Sequence, residues 1–119
     1  MVYCDFSNSL YKYLDIYHNG LKKLANKEMQ AIVGHLREMS DENQDEILTQ
    51  FLSDYCDSDV WDTLKDRGNA GIPYELKEYI LMWITPRCEE KKMPECRWYY
   101  ELFRNHKQGY QAAVKYLEI

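Results

Sequence analysis

Leu10, Tyr13, Leu14, Tyr17, Leu21 and Leu24 recur at intervals of three, one and four, which places them on one face of a helix turning 100° per residue. The phase survives Gly20, so the pattern predicts a single helix over about 7–25, bent at the glycine. Asn26 then reads as the cap of a second helix whose stripe is Met29, Ile32, Val33, Leu36 and Met39. Ser40 caps a third, with Ile47, Leu48, Phe51, Leu52 and Tyr55 inward. Ser58 opens a short fourth carrying Val60, Trp61 and Leu64, which Gly68 stops.

The stretch "DRGNAGIP" is a turn, and Pro73 suits the first position of a fifth helix. Leu76, Tyr79, Ile80, Trp83 and Ile84 line that helix, with Leu81 and Met82 on its other sides, so it reads as apolar nearly all round and central. Pro86 is expected to end it, "RCEEKKM" to form an exposed loop, and Pro94 to start a sixth helix with Trp98, Tyr99, Leu102 and Phe103 inward. A last helix is expected after Gly109, with Tyr110, Ala113, Val114 and Leu117 as its stripe. No segment alternates cleanly with period two, and no heptad is sustained. The expected fold is therefore all-α: a compact irregular bundle of six to seven short helices with no sheet, forming one domain over residues 1–119 and favoured as a monomer.

Composition narrows the class. The chain starts "MVYCDFSNSL", which has neither the basic nor the apolar region of a secretory signal, and its longest strongly apolar run, "YILMWI", is too short to span a bilayer. A cytoplasmic protein with no membrane partner is the expectation. Cys4, Cys56, Cys88 and Cys96 do not match zinc spacings, since Cys88 and Cys96 are separated by seven residues and C-x2-C is absent. Four reduced thiols and no metal are expected.

The sequence contains no G-x-S-x-G, Walker loop, G-x-G-x-x-G or H-E-x-x-H, and no E-x-x-H of the kind that builds di-metal bundles. Its three histidines, His18, His35 and His106, are isolated from one another. We expect neither enzymatic activity nor a cofactor. Lys, Arg and aromatic residues interleave over 91–107, the residue types of a nucleic-acid platform. The aromatics fall on the inward face and glutamates dilute the charge, leaving residues 87–119 at +2, so direct nucleic-acid binding is not expected.

Charge changes the picture most. The net charge is −5, but residues 41–64 alone hold eight carboxylates and no Lys or Arg, so the rest of the chain sums to +3. Asp41, Glu42, Asp45 and Glu46 suit the positive end of the third helix's macrodipole, and Asp59 does the same for the fourth. Local helix physics would also place a Lys or Arg four residues downstream, and none is there. Asp54, near the helix C-terminus, is disfavoured by the dipole. Two readings follow: a plain solvated face, or a receiving surface whose positive charge comes from a partner. On the second reading Glu42, Glu46, Asp57, Asp59 and Asp62 are the partner-binding residues. Eleven tyrosines add to it, because Tyr11, Tyr74, Tyr100 and Tyr116 lie off or at the border of their apolar stripes, and half-exposed Tyr is enriched at interfaces. The function expected is a small acidic module that neutralises or masks a basic partner protein, as an immunity protein or antitoxin does for a toxin or nuclease. The alternatives are a helical adaptor within a larger assembly and a small enzyme lacking a recognisable motif.

Overall fold

A computed structural model describes residues 3–65, 71–103 and 114–115. Among them the chain is all-α, with six helices and no strand. In chain order these are α1, Tyr3–His18; α2, Lys22–Glu38; α3, Asp41–Asp57; α4, Asp62–Lys65; α5, Tyr74–Glu89; and α6, Glu95–Phe103. They fall into two compact units, residues 1–77 and 78–119.

In the first unit α1 packs against both α2 and α3. Phe6, Leu10, Tyr13 and Leu14 of α1, Ala25, Met29, Ile32, Val33 and Leu36 of α2, and Ile47, Leu48, Phe51 and Leu52 of α3 are buried. Lys12 of α1 pairs with Glu28 of α2 at 3.2 Å. The single helix expected over 7–25 is in fact two. Gly20 adopts φ +78°, and the chain closes α1 through hydrogen bonds from the Gly20 N–H to Tyr17 O (3.0 Å) and from the Leu21 N–H to Ile16 O (3.3 Å). Those are the paired 5→2 and 6→1 bonds of a Schellman ending, which satisfy carbonyls that the helix leaves open. The apolar phase continued across Gly20, but a left-handed glycine with its own hydrogen bonds outweighed it. α2 therefore starts before Asn26, which is not a cap, and Leu21 and Leu24 are exposed rather than buried (53% and 47%).

Ser40 caps α3 as expected, its Oγ accepting from the Asn43 N–H at 3.3 Å. The fourth helix is shorter than expected, Asp62–Lys65, and Val60 is 48% exposed, while Trp61 and Leu64 are fully buried. Gly68, its expected stop, lies outside the described residues.

In the second unit Tyr79, Ile80, Trp83, Ile84 and Cys88 of α5 are buried, as are Cys96, Trp98, Tyr99, Leu102 and Phe103 of α6. Pro86 does not end α5 but lies inside it. Proline removes one backbone donor, the one that would serve Met82 O. On either side of it Thr85 Oγ1 donates to Leu81 O (2.7 Å) and Arg87 Nη1 to Trp83 O (2.9 Å). Arg87 also lies over the Trp83 ring, 4.1 Å from its centroid. The expected exposed loop therefore begins later, and Cys88 belongs to the core. A second Schellman ending closes α5, with Lys91 at φ 60°, its N–H on Cys88 O and that of Lys92 on Arg87 O. Nor is α5 covered all round, since Met82 is 65% and Tyr74, in its first turn, 73% exposed. Of the last helix expected after Gly109, residues 114–115 are described and are helical. Of its stripe, Val114 is half-buried, while Tyr110, Ala113 and Leu117 lie outside the described residues.

Candidate functional site

The face of α3 opposite its apolar stripe is traced by Glu42, Glu46, Thr49, Ser53 and Asp57, at helical spacings that keep them on one side. All are exposed except Ser53, which is half-buried. Asp59 and Asp62 extend the acids beyond the helix and are exposed too. Thus the structure places all five expected partner-binding residues, Glu42, Glu46, Asp57, Asp59 and Asp62, on the surface of the first unit. It does not gather them at one point. Glu42 and Asp57 are about 22 Å apart along the axis at 1.5 Å per residue, and Glu46 and Asp57 about 16 Å. The second distance is roughly two Debye lengths at physiological salt, so the ends of the stripe present two separate negative fields.

Among the described residues no Lys or Arg pairs with Glu42, Glu46, Asp59 or Asp62. The nearest cation in sequence to the far end, Lys65, is positioned over the Tyr55 ring, 4.8 Å from its centroid. The Tyr55 phenol is in turn pushed up in pKa, chiefly by burial. Gly71 allows the chain to pass it: φ is +80° there, and a Cβ would stand 3.3 Å from the Tyr55 hydroxyl.

The far end is built on an aromatic cluster. Trp61 is fully buried, stacked on Tyr11 with centroids 4.8 Å apart and edge-on to Phe51 at 5.6 Å, while Phe6 meets Phe51 edge-on at 5.3 Å. The Trp61 indole N–H donates to the Tyr3 hydroxyl oxygen (3.2 Å), and that hydroxyl donates to Asp54 Oδ2 (2.9 Å). Gln50 Nε2 donates to Asp54 Oδ1 (3.0 Å), and Ser58 Oγ donates to Asp54 O (2.8 Å) while accepting from the Val60 N–H (3.3 Å). Burial, and less strongly the Asp54 carboxylate, push the Tyr3 phenol from 10.0 up to about 12. This network answers the objection to Asp54: its unfavourable place in the helix dipole is offset by two side-chain donors. No local pattern could have shown it, because Tyr3 and Trp61 reach it from other elements. Around this rigid base Tyr11 and Val60 are about half exposed (46% and 48%), beside the turn that carries Asp59 and Asp62.

The chain matches no protein-family model, no curated protein and no solved structure. What the site can do is therefore read from its chemistry. Exposed carboxylates on a stiff helix, ending in two half-exposed apolar side chains on a packed aromatic cluster, can attract and dock a cationic surface. Among the described residues no group of three or more His, Cys, Asp or Glu is placed to hold a metal ion, and no helix is long and apolar enough to cross a membrane. His18 and His35 are exposed, and His106 lies outside the described residues.

Proposed function

We propose that this chain is an acidic protein-binding module that masks a basic partner protein, in the manner of an immunity protein or antitoxin covering the cationic site of a toxin or nuclease. The observation that carries the reading is the set of exposed carboxylates, Glu42, Glu46, Asp59 and Asp62, for which the described residues offer no cation. The length of the stripe defines the partner further. A small cation would engage one end alone, whereas acids about 22 Å apart are bridged by a protein surface or by an extended segment of about seven residues or more. Long-range attraction brings the partner in, and Tyr11 and Val60 supply apolar contact area at the far end.

The test is charge reversal at both ends, Glu46→Lys with Asp59→Lys. Capture of the basic partner from the native source at low salt should weaken at least tenfold, mainly through slower association, and the deficit should shrink as salt rises. If the double variant captures its partner as well as the parent does at low salt, the acids form only a solvated face.

A second reading, a helical adaptor, draws on the start of α2. There Leu21 and Leu24 are exposed among Lys22, Lys23 and Lys27, which gives the first unit an apolar, basic surface as well as an acidic one. Charge reversal on α3 would leave a partner of that second surface unaffected.

A further inference from the structure

Cys88 lies in the last turn of α5 and Cys96 in the first turn of α6, both within the second unit, and both are buried (0% and 1% exposed). Their thiols interlock. The Cys96 thiol donates to the Cys88 carbonyl oxygen at 3.7 Å, and the Cys88 thiol donates to the Glu95 carbonyl oxygen at 3.7 Å. Each sulfur therefore reaches the backbone at the other cysteine or its immediate neighbour. The Schellman ending at Lys91 turns the chain back sharply enough to bring them together across the short 90–94 connection. Cys4, which is exposed, and Cys56, which is half-buried, belong to the first unit.

We propose that Cys88 and Cys96 form a dithiol that a peroxide oxidises to an intramolecular disulfide, stapling the end of α5 to the start of α6. In the first step the sulfur of one thiolate attacks a peroxide oxygen, and the O–O bond breaks. With hydrogen peroxide, this yields a sulfenic acid and water. In the second step the other sulfur attacks the sulfenic sulfur: the S–S bond forms, the S–O bond breaks, and the departing hydroxide takes the thiol proton to become water. Two thiols thus lose two electrons and two protons, and one peroxide becomes two waters. Burial protects the pair against casual oxidation, so the reaction proceeds as the 90–94 connection opens.

The experiment uses the full-length chain carrying Cys4→Ser and Cys56→Ser, treated with hydrogen peroxide, then denatured, alkylated and weighed. The expected product is about 2 Da lighter, has no alkylatable thiol, and on trypsin digestion gives the Cys88 and Cys96 peptides joined by a bond that dithiothreitol cleaves. Closing a ring this small should raise the melting temperature by about 10 °C, reversibly. In the same background with Cys88→Ser added, Cys96 should instead accumulate a sulfenic acid that dimedone labels. The proposal is overturned if both thiols stay alkylatable under peroxide that fully oxidises Cys4 in the parent, if the product gains 32 or 48 Da as sulfinic or sulfonic acid, or if the oxidised form melts no higher than the reduced one.

Discussion

Replacing Tyr3 by Phe removes one oxygen and strips two hydrogen bonds from the centre of the first unit's aromatic cluster. Trp61 loses the acceptor of its indole N–H, and with the ring fully buried that donor has nowhere to turn. An orphaned buried donor costs about 1–3 kcal/mol. Asp54 loses a phenolic donor but keeps Gln50 and is only half-buried, so water can replace Tyr3 there at about 0.5–1.5 kcal/mol. The expected loss of stability at pH 7 is about 2–4 kcal/mol, measured by urea unfolding. The pH dependence supplies a second signature. Folding raises the Tyr3 phenol from 10.0 to about 12, mainly because burial penalises the phenolate. A group raised in the folded state contributes stability that is full below its unfolded value and is lost as pH climbs through the folded one. The window is therefore pH 10 to 12. The shift corresponds to at most about 2.7 kcal/mol, reduced because the phenol is partly solvated. The gap between parent and Tyr3→Phe should accordingly narrow by about 1–2 kcal/mol between pH 9 and 11.5. The phenols of Tyr13 and Tyr55 are also raised, but they titrate in both proteins and cancel in the difference. A gap below about 0.5 kcal/mol at pH 7, or one that stays constant up to pH 11.5, would refute the claim that this hydroxyl bridges Trp61 and Asp54.

Leu52→Ala and Ile80→Ala, each at a fully buried position and one in each unit, should lower stability by about 2–5 kcal/mol through lost burial and a residual cavity, read from denaturant midpoints. Gly20→Ala should cost about 1–2 kcal/mol, purely as left-handed backbone strain, because no atom lies within 4 Å of the added Cβ, and Gly20→Asn should cost less; a neutral or stabilising Gly20→Ala would mean that α1 and α2 run on as one helix.

The fold class was legible because periodicity reports burial directly. Leu14, Leu48, Leu52, Ile80, Trp83 and Leu102, all expected in the core, are buried, and Ser40 caps α3 through the bond that its type and place imply. The errors share one cause. Periodicity says which residues share a face but not where the backbone stops, and at Gly20 and Pro86 the backbone did not follow the expected boundaries. A Schellman ending broke a helix whose apolar phase was continuous, while α5 runs on through Pro86 with the loss of one backbone donor. The exposure of Glu42, Glu46, Asp57, Asp59 and Asp62 was legible from the wheel. The Tyr3–Asp54–Trp61 network and the Cys88–Cys96 pair were not, because each depends on how the chain turns between distant or oppositely directed segments.

The acidic face can be weighed against its own stability. Asp41 and Asp45, and Glu42 and Glu46, are like-charge neighbours at i and i+4, each pair unfavourable by about 0.2–0.5 kcal/mol, where a Lys at the second position would be favourable by a similar amount. Glu46, grouped by the sequence with the acids at the positive end of the macrodipole, is the sixth residue of α3, and that favourable pull fades within the first turn. Glu46→Lys should then leave the fold as stable as the parent or slightly more so, since it relieves one repulsion and sets an ammonium one turn from the Glu42 carboxylate. Asp54 shows the contrasting case, an acid the fold does use, held by Tyr3 and Gln50. Stability alone therefore gives no reason for a carboxylate at position 46, whereas the proposed attraction for a basic partner would. A variant that folds at least as well and binds worse would separate the two roles at a single residue.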